Sequence, residues 1–140
     1  MSVFKLHLGS EDRLDLKIGP ALGAWDCDQF AHEIRDGVES VLGISFDPKR
    51  NERTARGGYI FWFSDSQISA SLFVQDAGEG FPLDKVPVDL EVRSEFYGPE
   101  DWQLAEFVYN GLDALGKYLL IAMTHRGTLI TANFDVGDSL

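Results

Sequence analysis

The chain has 140 residues, 44% hydrophobic and 12% aromatic, which is the composition of one packed domain spanning residues 1–140. Its 12 Lys and Arg against 23 Asp and Glu give a net charge of −11, which disfavours direct binding to nucleic acid or anionic lipid. No apolar stretch approaches the roughly 20 residues of a membrane span, and the first residues do not have the pattern of a secretion signal. Cys27 is the single cysteine, so no intramolecular disulfide can form, and we expect a soluble, cytoplasmic protein.

The first half of the chain predicts two β-hairpins with a helix between them. Apolar residues alternate with polar ones over 4–8 and again over 14–18, which indicates the first hairpin. Apolar residues then recur at helical spacing from about Trp25 to Leu42, where Gly43 ends the pattern. Aromatic and β-branched residues dominate 59–64 and 67–75, which predicts the second hairpin.

The second half predicts a strand, a helix and a third hairpin. Apolar and polar residues alternate over 86–92, and the proline in that stretch favours an edge strand. A helix is predicted from about Pro99 to Leu115, since proline suits the first helical turn. The segments 118–124 and 128–134 form the third hairpin, and the tail after it is expected to be frayed.

Together these elements predict an α+β fold, with two helices packed on one face of a mostly antiparallel sheet of about six to seven strands. Tyr59, Phe61 and Phe63 point to the side of their strand opposite to Ile60 and Trp62. One sheet face therefore carries large rings that the helices need not cover. Those rings are typical of a pocket, of an interface or of a second small core.

The polar residues favour a non-catalytic protein, although they leave enzymatic activity open. The three histidines, His7, His32 and His125, lie in different predicted elements, and Cys27 lies on the apolar stripe of the first helix. The chain contains no nucleophile elbow, no phosphate-binding loop and no Cys-x-x-Cys or His-Glu-x-x-His motif. We assign no catalytic residue.

Acidic residues are abundant enough to lie close together by chance. Asp28, His32 and Asp36 have the spacing of ligands on one helix face, but zinc sites generally need more His or Cys, so a solvated face is the preferred interpretation. Two carboxylate pairs are also close in sequence: Glu100 with Asp101, and Asp89 with Glu91. We interpret them as helix-start charges and as the solvent face of an edge strand, and predict no metal or cofactor.

The outer side of the predicted first helix is strongly acidic. Its charged residues are Asp26, Asp28, His32, Glu33, Arg35, Asp36 and Glu39. Such a face attracts a basic protein and speeds its association, so we predict that its carboxylates and His32 contact a basic partner. In size and acidity the chain resembles the small immunity proteins with which bacteria neutralise a toxin, and phage-encoded acidic inhibitors. That resemblance implies an inhibitor of a basic toxin or enzyme.

Two alternatives remain open. The first is a small-molecule-binding domain, in which Tyr59, Phe61, Trp62 and Phe63 line a cleft between the sheet and the helices. The second is a structural subunit that forms a homo-oligomer through an exposed sheet edge. The segment 45–58 is predicted to be a surface loop, and its basic part, 49–56, is suited either to an acidic partner or to simple solvation.

Overall fold

The computed structural model describes residues 13–23, 25–48, 52–54, 57–75, 80–94 and 99–138, with the backbone alone at 52, 53, 99 and 100. The strands are β1 (Leu14–Pro20), β2 (Glu52–Arg53), β3 (Tyr59–Ser64), β4 (Ile68–Val74), β5 (Val88–Ser94), β6 (Tyr118–Thr124) and β7 (Leu129–Ala132). The helices are α1 (Cys27–Leu42) and α2 (Pro99–Ala114), with a short 3-10 helix at Leu83–Lys85. The first strand of the predicted N-terminal hairpin and most of the basic segment lie outside the described residues.

All seven strands belong to one antiparallel sheet with the order β2-β3-β4-β5-β1-β6-β7. In the middle of the sheet, Leu16 of β1 lies opposite Leu90 of β5 on one side and Ala122 of β6 on the other. The predicted α+β fold, two helices on an antiparallel sheet, is therefore confirmed.

Two details of the prediction are wrong. The strand predicted over 86–92 is not at an edge, because β5 lies between β4 and β1. Pro87 precedes the strand, so its missing N–H removes no ladder hydrogen bond. In addition, the predicted loop over 45–58 contains β2, which pairs with Tyr59 and Ile60 of β3.

One face of the sheet carries the core, because alternate strand residues point towards the helices. Leu16, Leu72, Leu90 and Leu120 are each at most 1% exposed and belong to the same cluster as the apolar side of both helices. That cluster includes the helical side chains Phe30, Ile34, Val38, Trp102, Val108 and Leu112. Burying each large apolar side chain contributes roughly 1.5–3 kcal/mol, which holds both helices on this face.

Of the opposite face, called here the open face, the described residues cover one end. Val86, Ile121, Met123 and Val136 form a second apolar cluster there. Val136 is buried, so the tail expected to fray after residue 134 instead packs against β6. Over the described residues, neither helix has the length and apolar character needed to span a membrane.

The ends of α1 follow from local chemistry. The side chain of Asp26 accepts a hydrogen bond from the backbone N–H of Gln29 (3.1 Å), and this N-cap satisfies a donor that the first turn leaves unpaired. At the other end, Gly43 has a φ of 68°, the left-handed conformation that glycine adopts without steric cost.

Helix α2 packs closely against α1 at Gly111. A Cβ atom at this position would lie 2.6 Å from Cγ1 of Val41, whose β-branched side chain has little freedom to move away. We expect Gly111→Ala to lower the free energy of unfolding by about 1–3 kcal/mol because of overpacking, although the same change stabilises an exposed helix. Urea denaturation measures the difference.

The matched control is the double variant Gly111→Ala, Val41→Ala, which removes the two methyl groups that the new Cβ would meet. We expect this variant to recover part of the stability lost in Gly111→Ala. Strictly additive effects of the two substitutions would show that the contact between the helices is not the cause.

Candidate functional site

The first polar surface is the outer side of α1. Asp26, Asp28, Glu33 and Asp36 are all exposed there, and together they are called the α1 acidic face. Arg35 of the same helix points inward, and its guanidinium lies 5.7 Å from the centre of the Phe61 ring. Its Nη2 also contacts Asp36 Oδ1 at 3.2 Å, on the inner edge of the face. The exposed surface of α1 is therefore dominated by carboxylates.

Two of the predicted partner-binding carboxylates also hold the fold together. Asp28 accepts a hydrogen bond from the Tyr59 hydroxyl (2.7 Å), which ties α1 to β3. Half-buried Glu39 accepts one from the backbone N–H of Phe46 (2.7 Å) and fixes the chain that leaves α1. Hydrogen bonds to a charged acceptor contribute roughly 1.5–3 kcal/mol, so both residues matter for stability.

Glu33 and Asp36 are different, because in the described residues their carboxylates neither cap a helix nor link α1 to a strand. His32 is exposed but anchored: its Nδ1 lies 2.8 Å from the carbonyl oxygen of Asp28. Its ring meets the Tyr59 ring edge to face at 5.7 Å. No group of three or more His, Cys, Asp or Glu in the described segments is arranged to hold a metal.

A groove of about 450 Å³ continues the α1 acidic face beyond the start of the helix. Its lining is Pro20, Leu22, Gly23, Trp25, Asp26, Gln29, Phe30 and Glu33. Leu22 is 91% exposed, and half-buried Trp25 packs against Phe30 with 5.3 Å between the ring centres. The sequence reasoning missed this groove, since it depends on how the turn after β1 folds back against α1.

The four aromatic residues predicted to form a pocket are divided between the two faces of the sheet. Tyr59, Phe61 and Phe63 face the helices and pack against the core. Phe61 is 2% exposed, with the Phe46 and Tyr59 rings each 5.9 Å away. These rings fill the space between sheet and helices, whereas Trp62 lies on the open face.

The second polar surface is the middle of the open face. In one row across the strands, Phe73 lies opposite Asp89, which lies opposite Lys17. Lys17 Nζ contacts Asp89 Oδ2 at 3.1 Å. Further along β5, Glu91 Oε1 accepts a hydrogen bond from Nε of Arg93 at 2.6 Å.

Asp15 lies beside these pairs on β1, half-buried. The pKa of Asp15 is raised to about 6, first by burial and then by the nearby carboxylates Asp89 and Glu91, which outweigh the lowering by Lys17 and His125. The interpretation of Asp89 and Glu91 as an edge-strand surface missed this cluster. The signal was present as Asp15 and Lys17 at alternate positions of β1, but only the strand order places them next to β5.

A groove of about 280 Å³ lies on the same face, beside the charged row. Its lining is Trp62, Phe63, Ser64, Ser69, Ala70, Ser71, Glu91 and Arg93. It combines one indole ring, several hydroxyls and one ion pair in a small volume.

Comparison of the chain with protein-family models, with curated proteins and with solved structures finds no match. Its function has to be inferred from the chemistry of its own surfaces. The α1 acidic face with its adjoining groove, and the groove on the open face, are the two candidates.

The raised pKa of Asp15 predicts how stability depends on pH. Its folded pKa of about 6 exceeds the unfolded value of 3.8, so the folded state binds more protons between these values and stability falls as pH rises through them. We expect Asp15→Asn to raise the free energy of unfolding at pH 7.5 by about 1 kcal/mol, less than full linkage because solvent screens a half-exposed group. At pH 3.5 we expect the substitution to leave the free energy of unfolding unchanged.

Asp65 provides a control of opposite sign. Its carboxylate accepts hydrogen bonds from the backbone N–H groups of Gln67 (2.7 Å) and Ile68 (2.8 Å), which lower its pKa. Asp65→Asn should therefore destabilise the protein at pH 7.5 and have less effect at pH 3.5. Chemical denaturation at both pH values measures each difference, and a loss of stability in Asp15→Asn at pH 7.5 would contradict the interpretation of Asp15.

Proposed function

We propose that this protein is a non-catalytic inhibitor of the immunity type, which binds a basic toxin or enzyme through the α1 acidic face. The observation that carries the proposal is that four carboxylates lie exposed along one helix and its N-cap, while Arg35 of that helix is folded over Phe61. Arg35 compensates one of these charges through its contact with Asp36, and the face keeps a net negative charge. It matches a partner surface rich in Lys and Arg.

The geometry of α1 supports tight binding because part of the face is held in place before a partner arrives. Asp28 is oriented by the Tyr59 hydroxyl, and Asp26 is oriented by the N-cap hydrogen bond. Groups fixed in advance lose less side-chain entropy on binding than mobile ones, so more of the interaction energy contributes to affinity.

The groove at the start of α1 supplies the apolar part of the proposed interface. Leu22 and Trp25 stand beside Asp26 and Glu33, so a partner side chain can contact apolar surface and carboxylate together. Interfaces typically derive most of their energy from a few such aromatic or apolar anchors surrounded by polar residues. A basic side chain next to an apolar one on the partner fits this groove.

The overall charge acts in the same direction. A net charge of −11 steers a cationic protein towards the surface over distances comparable to the Debye length, about 8 Å at physiological salt. We place the complex in the cytoplasm. Cys27, half-buried against the core, is suited to a reducing compartment.

An affinity pulldown with the tagged, full-length protein from its native host tests the proposal. The experiment is run at low and at high salt, and the captured proteins are identified by mass spectrometry. We expect one stoichiometric partner with a basic isoelectric point that high salt releases. Capture of an acidic or neutral partner whose binding is insensitive to salt would contradict an electrostatic interface.

Charge reversal on α1 then locates the interface. We expect Glu33→Lys, Asp36→Lys to weaken binding of the captured partner by about tenfold or more and to reduce the salt dependence of the association rate. These two positions are preferable to Asp28 or Glu39, whose carboxylates also stabilise the fold. Surface plasmon resonance over a range of salt concentrations measures both quantities.

The control variant Asp84→Lys, Asp138→Lys makes the same change in net charge at two exposed positions outside α1. It separates the effect of local contacts on affinity from the effect of overall charge. Equal loss of affinity in the two variants would mean that net charge alone attracts the partner and that the α1 acidic face is not the binding site.

A further inference from the structure

We infer that the protein forms a homodimer in which the β7 strands of two copies pair antiparallel and join the two sheets into one. β7 carries none of the residues of the α1 acidic face, so the dimer does not depend on the proposed inhibitor function. Three features support it: the uncharged character of this sheet edge, the direction of its backbone groups, and the charges at its two ends.

The two edges of the sheet differ in their protection against a further strand. β2 is two residues long and both of its residues, Glu52 and Arg53, are charged, whereas the sequence from 127 to 134 contains no charge and no proline. Charged residues and prolines are common means by which an edge strand prevents pairing with another chain. Within the described residues no strand pairs with the outer side of β7. Two copies with a net charge of −11 repel each other, so an uncharged edge is the surface that they can share.

Two residues of β7 turn their backbone groups away from the sheet. The carbonyl oxygen of Thr128 and the N–H of Asn133 both form hydrogen bonds with β6, at 2.9 Å and 3.1 Å. Successive residues of an antiparallel strand alternate in the direction of their backbone groups. The N–H and C=O groups of Leu129 and Ala132, which lie next to these two residues, therefore face the outer side of the edge.

The spacing of these outward groups selects a second copy of this chain as the partner. A register shift in the pairing with β6 leaves Leu129 and Ala132 three positions apart, whereas the outward groups of a regular strand repeat every two residues. A regular strand can therefore meet only one of them without an irregularity of its own. A second copy carries the same shift. A two-fold axis between Ile130 and Thr131 places Leu129 of each copy opposite Ala132 of the other.

The same register matches side chains and charges. Leu129 and Ala132 both pack against the second apolar cluster, so they form an apolar cross-strand pair on the open face. Exposed Arg126 lies three residues before Leu129, and exposed Asp135 lies three residues after Ala132. The two-fold axis therefore brings Arg126 of each copy to Asp135 of the other, and a guanidinium, with its five donors, can bind more than one acceptor. Opposite charges thus meet at both ends of an uncharged contact.

Sedimentation velocity of the full-length protein over a range of concentrations tests the dimer. Pairing of one short strand buries little surface, so we expect a reversible equilibrium in which the mass doubles as the concentration rises. We expect Ala132→Pro to weaken dimerisation by about tenfold or more, because it removes an outward N–H from each copy and no hydrogen bond to β6.

The matched control is Ala132→Ser, which keeps this N–H and should dimerise as strongly as the unchanged protein. A protein that stays monomeric at every concentration would overturn the inference. A dimer that is equally strong in folded Ala132→Pro would overturn it as well, since such a dimer would use another surface.

Exchange of the end charges tests the register, and it remains available if Ala132→Pro does not fold. We expect Arg126→Glu to weaken dimerisation severalfold, since like charges then meet at both ends. Arg126→Glu combined with Asp135→Arg restores opposite charges and should recover most of the loss. Asp135→Arg alone is the control for the hydrogen bond that Asp135 accepts from the N–H of Gly137. No recovery in the folded double variant would overturn the proposed pairing.

Hydrogen exchange shows what covers the edge. In the dimer the amides of Leu129 and Ala132 are hydrogen-bonded between the copies, so their exchange should slow as the protein concentration rises. At low concentration, where the protein is monomeric, both amides should exchange rapidly. Slow exchange that does not depend on concentration would show that another segment of the same chain already occupies the edge, and the inference would be wrong.

Discussion

The alternation of side chains along each strand is the constraint on which the rest of this structure depends. Because the helices cover one face, the charged side chains of β1 and β5 point to the other face. Asp15, Lys17, Asp89 and Glu91 are therefore brought together on the open face although three of them carry the same charge. The fold accommodates this through one close ion pair, between Lys17 and Asp89, and through a raised pKa of Asp15.

The same alternation separates the aromatic run of β3 into two roles. Phe61 and its neighbours two residues away pack in the core cluster, while Trp62 between Phe61 and Phe63 lies on the open face. A one-residue shift in the pairing of β3 with β4 would exchange these roles and place Trp62 in the core. The register that buries Phe61 opposite Leu72 therefore also builds the groove beside Ser71.

Much of this fold could be predicted from the sequence, because helical periodicity, hairpin turns and the glycine that ends α1 are local signals. The position of β5 inside the sheet, the short strand β2 and the packing of Val136 were not predicted, since each depends on contacts with residues far along the chain. The candidate sites likewise combine features that local sequence predicts with features that depend on distant residues. The acidity of α1 could be read directly, whereas the structural roles of Asp28 and Glu39 depend on the positions of Tyr59 and Phe46.

The two candidate surfaces are electrostatically separate. A helix with its side chains is about 10 Å across, so the outer carboxylates of α1 and the charged row on the open face are more than one Debye length apart at physiological salt. Protonation of Asp15 below pH 6 therefore changes the charge of the open face with little effect on the attraction between α1 and a cationic partner. A partner bound at α1 would likewise leave the Glu91–Arg93 pair undisturbed.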